Sequence, residues 1–193
     1  EQARAIHWDS FPTRALDDTA SPIYNWFGDG ITNTCYNAVD RHAEGGRADQ
    51  AALIWDSPVT GQKKTITYAE LKEQCARLAG ALKAQGVETG DRVIIYMPMV
   101  PEAVVAMLAC ARIGAIHSVV FGGFASAELA TRIDDAKPKA IIAGSCGIEP
   151  SRTVAYKPLL DGAIDLAAHK PEFCIIFQRE QLRADLIAGR DLD

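Results

Sequence analysis

The sequence is short of the features that specialised folds and sites need. Aromatic residues make up only 7% of it, and no apolar run is long enough to cross a bilayer. Residues 1–20 lack the basic start and apolar stretch of a secretion signal. The five cysteines, Cys35, Cys75, Cys110, Cys146 and Cys174, are odd in number and scattered, with no CxxC or close Cys/His spacing. That excludes a disulfide framework and the usual zinc spacings. They read as reduced apolar residues of the core in a reducing compartment, by default the cytoplasm, or the mitochondrial matrix if the source is eukaryotic. The net charge of −5 comes with no long block of either sign. Nucleic acid is therefore set aside as a partner, because phosphate binding needs clustered Lys and Arg. No membrane partner is expected either.

No spaced glycine fingerprint with a following ribose-binding acid occurs, which argues against a nucleotide-dependent oxidoreductase. His7, His42, His117 and His169 are dispersed, and none stands beside Ser or Cys in a nucleophile motif. His117 precedes Ser118, but neighbours on a strand point to opposite faces, so His117 reads as a core or rim residue. Asp134 and Asp135 read as a solvated helix end. No residue is nominated as catalytic and none as a metal ligand.

What is present suits one globular core: 193 residues, 48% hydrophobic and 23% charged. Residues 1–32 form an irregular leader interrupted by Pro12 and Pro22. Its aromatics, Trp8, Phe11, Tyr24, Trp26 and Phe27, are expected to anchor it in hollows of the neighbouring body. Residues 33–178 carry the regular pattern, and 179–193 read as a charged linker or tail, with the core ending near Phe177. The chain begins at Glu1 without Met and stops at Asp193 in a polar run, so both ends read as cut from something longer.

Tyr36, Val39, Asp40 and Ala43 recur at helical spacing before Gly45 and Gly46. Ala51–Trp55 and Thr65–Tyr68, separated by turn residues, suggest a hairpin. Thr67 and Glu70 make a capping box for a helix with Leu71, Cys75, Leu78 and Leu82 on one face, ended by Gly86. Arg92–Met97 is a continuous apolar run of the kind a strand needs when both faces are buried. Pro101 then opens an apolar helix to Gly114. Strand Ile116–Phe121, a helix capped by Ser126, strand Lys139–Ala143, a helix from Tyr156 to His169 and strand Phe173–Phe177 complete the alternation. Strands separated by helices of crossover length require parallel pairing, which predicts an α/β fold: an open, mostly parallel sheet with helices on both faces.

Ligands bind such sheets beyond the carboxyl ends of the strands, so the loops after Met97, Phe121 and Ala143 are the informative ones. Pro98–Pro101 carries no acid, base or nucleophile. Gly122 and Gly123 are either a tight strand-to-helix turn or a bare-backbone approach for a phosphate or thiol chain. Gly144–Arg152 offers flexible backbone and an Arg. Arg152 either clamps a phosphate or pairs with Glu149.

Tyr96–Ile133, YMPMVPEAVVAMLACARIGAIHSVVFGGFASAELATRI, resembles the signature stretch of the acetyl- and propionyl-CoA synthetases of the adenylate-forming superfamily. The resemblance extends through NTCYNAVDRH, IWDSPV, DDAKPK, GIEPSR and the final GRDLD, and so covers nearly the whole chain. It implies the first portion of the adenylate-forming large domain. It also implies a reaction of propionate with ATP, Mg²⁺ and CoA through acyl-AMP, giving propionyl-CoA, AMP and pyrophosphate. GIEPSR resembles the propionyl branch; acetyl-CoA synthetases typically carry Arg where this chain has Glu149. Acetate therefore stands as the alternative substrate, and a non-catalytic CoA- or nucleotide-binding domain as the alternative role. The resemblance assigns CoA contacts to Gly122, Gly123, Glu149, Pro150, Ser151 and above all Arg152. The family's phosphate loop, Mg²⁺-holding acid, acyl pocket and adenylation Lys fall downstream of Asp193, so the chain alone is expected to be inactive.

Overall fold

Val93, Ile94, Ile95 and Tyr96 have no exposed surface, and the strand they form is hydrogen-bonded to a neighbour on each side. Around it the computed structural model describes residues 2–193. The elements are β1 (Leu16–Asp17), β2 (Asn25–Trp26), β3 (Ala51–Ser57), β4 (Gln62–Thr67), α1 (Tyr68–Ala84), β5 (Arg92–Met97), α2 (Pro101–Ile113) and β6 (Ile116–Phe121). Then follow α3 (Ser126–Ala136), β7 (Ala140–Gly144), β8 (Cys146–Glu149), β9 (Arg152–Ala155), α4 (Tyr156–Leu166), β10 (Phe173–Phe177) and β11 (Asp191–Leu192). The sheet runs β6-β5-β7-β10-β11, with every neighbouring pair parallel.

The fold is the α/β architecture that the alternation demanded. On β5 the side chains divide by parity. Val93, Ile95 and Met97 pack with Leu82, Ala106 and Cys110 of α1 and α2 on one face. Ile94 and Tyr96 pack with Leu129, Ile133 and Leu160 of α3 and α4 on the other. A fully buried aliphatic side chain of this kind contributes on the order of 2 kcal/mol, so this two-sided packing dominates the stability of the sheet.

Local signals set several ends. The Thr67–Glu70 capping box is formed reciprocally, with Glu70 N–H donating to Thr67 Oγ1 at 3.2 Å and Thr67 N–H to Glu70 Oε2 at 2.8 Å. Gly114 closes α2 at φ +75°, a conformation that a side chain resists.

Other expectations change. Ser126 is the first helical residue of α3, not its cap; its hydroxyl donates to Leu159 O at 2.9 Å and ties α3 to α4. The helix from Tyr156 stops at Leu166, because Ala167 is extended, and the His169 N–H donates instead to Asp134 Oδ1 at 2.8 Å. Asp134 therefore fastens a loop and is not simply a solvated end. Gly144–Arg152 is no flexible loop: Gly144 ends β7, and β8 and β9 pair as an antiparallel hairpin with Pro150 and Ser151 at its turn. Residues past Phe177 rejoin the sheet, since β11 pairs with β10 and Asp191 is buried.

The leader attaches differently from expected. Trp8 packs against Phe11 and Phe27 of the leader itself, at ring centroid distances of 6.0 and 5.6 Å, and Trp26 is 61% exposed. Attachment to the body is largely polar, through Asn37, which accepts from His7 N–H at 2.7 Å and donates to His7 O at 2.9 Å. That side chain belongs to the helical stretch 34–47, most of it in wide π turns.

Candidate functional site

The chain leaves β5 toward β6 on one side, whereas β7 leads to β10 on the other. A crevice therefore opens at the carboxyl ends of β5 and β7, where open α/β sheets receive ligands. A cavity of about 590 Å³ lies there, lined by Trp55, Met97, Phe121, Gly122, Glu149, Tyr156 and Arg179 among others.

Tyr156 organises it. The residue opens α4 directly after the hairpin, and its ring packs on Tyr96 at 5.2 Å between centroids. A Cβ on Gly122 would stand 2.7 Å from the Tyr156 ring and 2.8 Å from Met97 O, and one on Gly147 would overlap the Tyr156 hydroxyl. Both positions need glycine for close approach. Gly123, at φ +99°, donates its N–H to Tyr96 Oη at 3.3 Å, and that hydroxyl donates to Phe124 O at 2.9 Å. Two buried tyrosines thus hold the Gly122–Gly123 turn and the β8–β9 hairpin side by side.

Of the residues nominated from sequence, Gly122 and Glu149 line the cavity. Gly123, exposed, follows in the same turn without lining the cavity, and Pro150 and Ser151 form the exposed turn of the hairpin. Arg152 points to solvent at the hairpin mouth and pairs with Glu149, Nε to Oε2 at 2.8 Å, with 68% and 47% of the two side chains exposed. The pair holds the Glu149 carboxyl below its usual pKa. Burial raises Tyr156, and pushes Tyr96 up to about 12, so both phenols stay neutral at physiological pH.

Three lining residues escaped the reading of the sequence. Trp55 arrives from the β3–β4 hairpin and donates Nε1–H to Met99 O at 2.8 Å, which pins the proline loop. Tyr156 sat unremarked at the start of a helix. Arg179 is 93% buried, the complement of its 7% exposure, and donates to Cys146 O at 3.1 Å, bracing the hairpin from below. Only IWDSPV, the stretch containing Trp55, carried any signal, and then through resemblance alone.

Residues 39–189 match the family of AMP-binding enzymes, and residues 1–38 match the acetyl-coenzyme A synthetase N-terminus. The chain belongs to the AMP-binding enzyme family. It is 53% identical over 192 residues to the acyl-CoA synthetase short-chain family member 3, mitochondrial, of Rattus norvegicus, covering 99% of this chain and 28% of that protein. It is 45% identical over all 193 residues to the propionate–CoA ligase of Escherichia coli, of which it covers 31%. An uncharacterised Pseudomonas aeruginosa protein is 55% identical over the full chain, which again covers 31% of it. The chain spans a little under one third of these relatives.

The acids of the cavity are Asp56, held by Lys63 at 2.7 Å, and Glu149, held by Arg152; no histidine lines it. Glu149, held below its usual pKa by Arg152, is not set up as a general base near neutral pH. No helix is long and apolar enough to cross a membrane among the described residues.

Proposed function

We propose that the chain is the front part of an AMP-forming short-chain acyl-CoA synthetase that acts on propionate, with acetate as the alternative, and that it supplies part of the CoA site. The observation that carries this reading is the match along the whole chain to relatives named for acyl-CoA synthesis, including 45% identity to a propionate–CoA ligase. The reaction joins propionate to ATP, releasing pyrophosphate, and the CoA thiol then displaces AMP. A carboxylate becomes an acyl donor only when one oxygen turns into a phosphate leaving group, and charge on the phosphates must be supported while it leaves.

The part played by these residues is to receive CoA. Gly122 and Gly123 offer backbone beside the cavity, Glu149–Arg152 forms its rim, and Arg152 is the group suited to a CoA phosphate. Adenylation lies outside the segment. Among the described residues no group of three or more His, Cys, Asp or Glu side chains is placed to hold a metal ion, and no step is assigned to metal here. The segment by itself turns nothing over.

The test is an assay of AMP and thioester formation from propionate or acetate with ATP and CoA. It uses the 193-residue chain and a protein that carries it together with the remaining two thirds of the relatives' length. The expected result is propionyl-CoA from the longer protein and none from the shorter. Turnover by the short chain, or a longer protein that makes no acyl-CoA from either acid, contradicts the proposal.

A further inference from the structure

Beneath the β8–β9 hairpin a positive charge is buried without a counter-ion. Arg179 is 7% exposed, yet its guanidinium makes one contact among the described residues, from Nη1 to Cys146 O at 3.1 Å. The remaining N–H groups of the fork have no partner there. The acids nearby are already engaged: Asp56 with Lys63 at 2.7 Å, Glu149 with Arg152 at 2.8 Å and Glu102 with Lys64 at 3.9 Å. Glu180, the next residue in the chain, lines a neighbouring cavity of about 330 Å³ and forms no ion pair with Arg179 among the described residues. A buried charge left unpaired is destabilising, so this position gains stability from an anion that reaches it.

Two further groups in the cavity of about 590 Å³ share that condition. Tyr156 is 6% exposed, and its hydroxyl, set against Gly122 and Gly147, has no hydrogen-bond partner among the described residues. Thr60 Oγ1, in the turn between β3 and β4, is buried and likewise unpaired. Arg179 and Tyr156 meet β8 at consecutive residues: the guanidinium holds Cys146 O, and the Tyr156 hydroxyl would stand 2.2 Å from a Cβ on Gly147. Met97, Met99, Val119, Phe121 and Ile148 make much of the remaining wall apolar. Donors and one positive charge set in an apolar cavity select a ligand with an acceptor-only, negatively charged head and an apolar body.

We propose that Arg179, Tyr156 and Thr60 form a subsite for an organic carboxylate, whose head pairs with the guanidinium and accepts from the two hydroxyls while its body lies against Met97 and Phe121. One unbalanced cation matches one negative charge, and a guanidinium meets a carboxylate as a planar fork. The subsite is separate from the rim proposed for CoA, where Arg152 has 68% of its side chain exposed and keeps Glu149 as its partner. It is also separate from the acyl pocket, which the family resemblance places beyond Asp193.

The test is calorimetric titration of octanoate, and of its neutral isostere octanamide, into the folded 193-residue chain and into the longer protein that carries it. Saturable binding of octanoate is expected, with octanamide about tenfold weaker, since it lacks the charge that Arg179 balances. Arg179→Met is expected to remove the preference for the acid over the amide. That change also removes the brace on Cys146, so circular dichroism checks its fold, and Tyr156→Phe provides a variant that keeps the ring and its packing. Tyr156→Phe is expected to weaken octanoate about fivefold, as loss of one hydrogen bond does. No binding of octanoate, equal binding of acid and amide, or unchanged binding in folded Arg179→Met and Tyr156→Phe overturns the proposal. The same Tyr156→Phe loss is expected in the longer protein; if only the short chain shows it, a later part of the chain closes on Arg179 and the proposal is likewise overturned. None of these readouts uses CoA or turnover, so their failure is distinct from failure of the functional reading.

Discussion

At one edge of the sheet, β11 is held by a group of buried and half-buried charges; at the other, β6 leaves Ile116, Val119 and Phe121 56%, 55% and 69% exposed. The β11 edge is closed by Asp191, whose side chain has no exposed surface and receives Lys157 at 2.9 Å and Arg190 at 2.7 Å. Asp161 completes the group, taking Lys157 at 2.7 Å and also Arg190. A two-residue strand makes too few hydrogen bonds to hold its own place, so its position is set by charges that must all be present. β6 depends on its pairing with β5 and on Val120 beneath it, and its outward side chains contribute little. One edge is thus expected to fail on losing a single charged group, and the other to tolerate loss.

The largest effect follows from Asp191→Ala. It leaves Lys157, 5% exposed, with only Asp161 for a partner, and is expected to cost about 3 kcal/mol in urea denaturation. Val119→Ala on the opposite edge is expected to cost less than about 0.5 kcal/mol, and equal costs would break the comparison. Between the edges, Gly147→Ala is expected to cost about 2 kcal/mol, because its Cβ meets the Tyr156 ring. The same change made in a Tyr156→Leu background should lose most of that cost, as coupled neighbours do.

Acid sharpens the contrast. Burial tends to raise the Asp191 carboxyl, but its hydrogen bonds from Arg190, Ile187 N–H and Lys157 leave it lowered overall. A lowered carboxylate stabilises the fold above its unfolded value, about 3.9, and that stability is lost as pH falls through the lower folded value. Hydrogen exchange is expected to show the Cys174 N–H, bonded to Arg190 O at 2.8 Å, losing protection below about pH 4 ahead of the β5–β6 amides. Simultaneous loss at both edges would contradict this.

The same division governs what could be read from the letters. β5, α1 and the close of α2 announce themselves, because an apolar run, a capping box and a glycine at positive φ act within a few residues. Ser126 has the chemistry of a cap, yet its hydroxyl turns to Leu159, a partner 33 positions away. β11 is a strand only because Lys157 of α4 waits for Asp191, and the β8–β9 hairpin is braced by Arg179 and Tyr156 from later in the chain. At the candidate site, Gly122 and Glu149 were nominated and do line one cavity, whereas Trp55, Tyr156 and Arg179 join it through contacts that no local pattern encodes.

The hairpin itself is the test of the functional account, because the Glu149–Arg152 pair occupies the cation proposed for a CoA phosphate. Calorimetric titration of CoA into the folded chain, with folding of each variant checked by circular dichroism, is expected to show binding. Arg152→Ala should weaken it about tenfold, near 1.4 kcal/mol, and Glu149→Gln should strengthen it by releasing the guanidinium. A folded chain that binds no CoA, or binds it equally well in all three forms, would contradict the assignment of CoA to this hairpin.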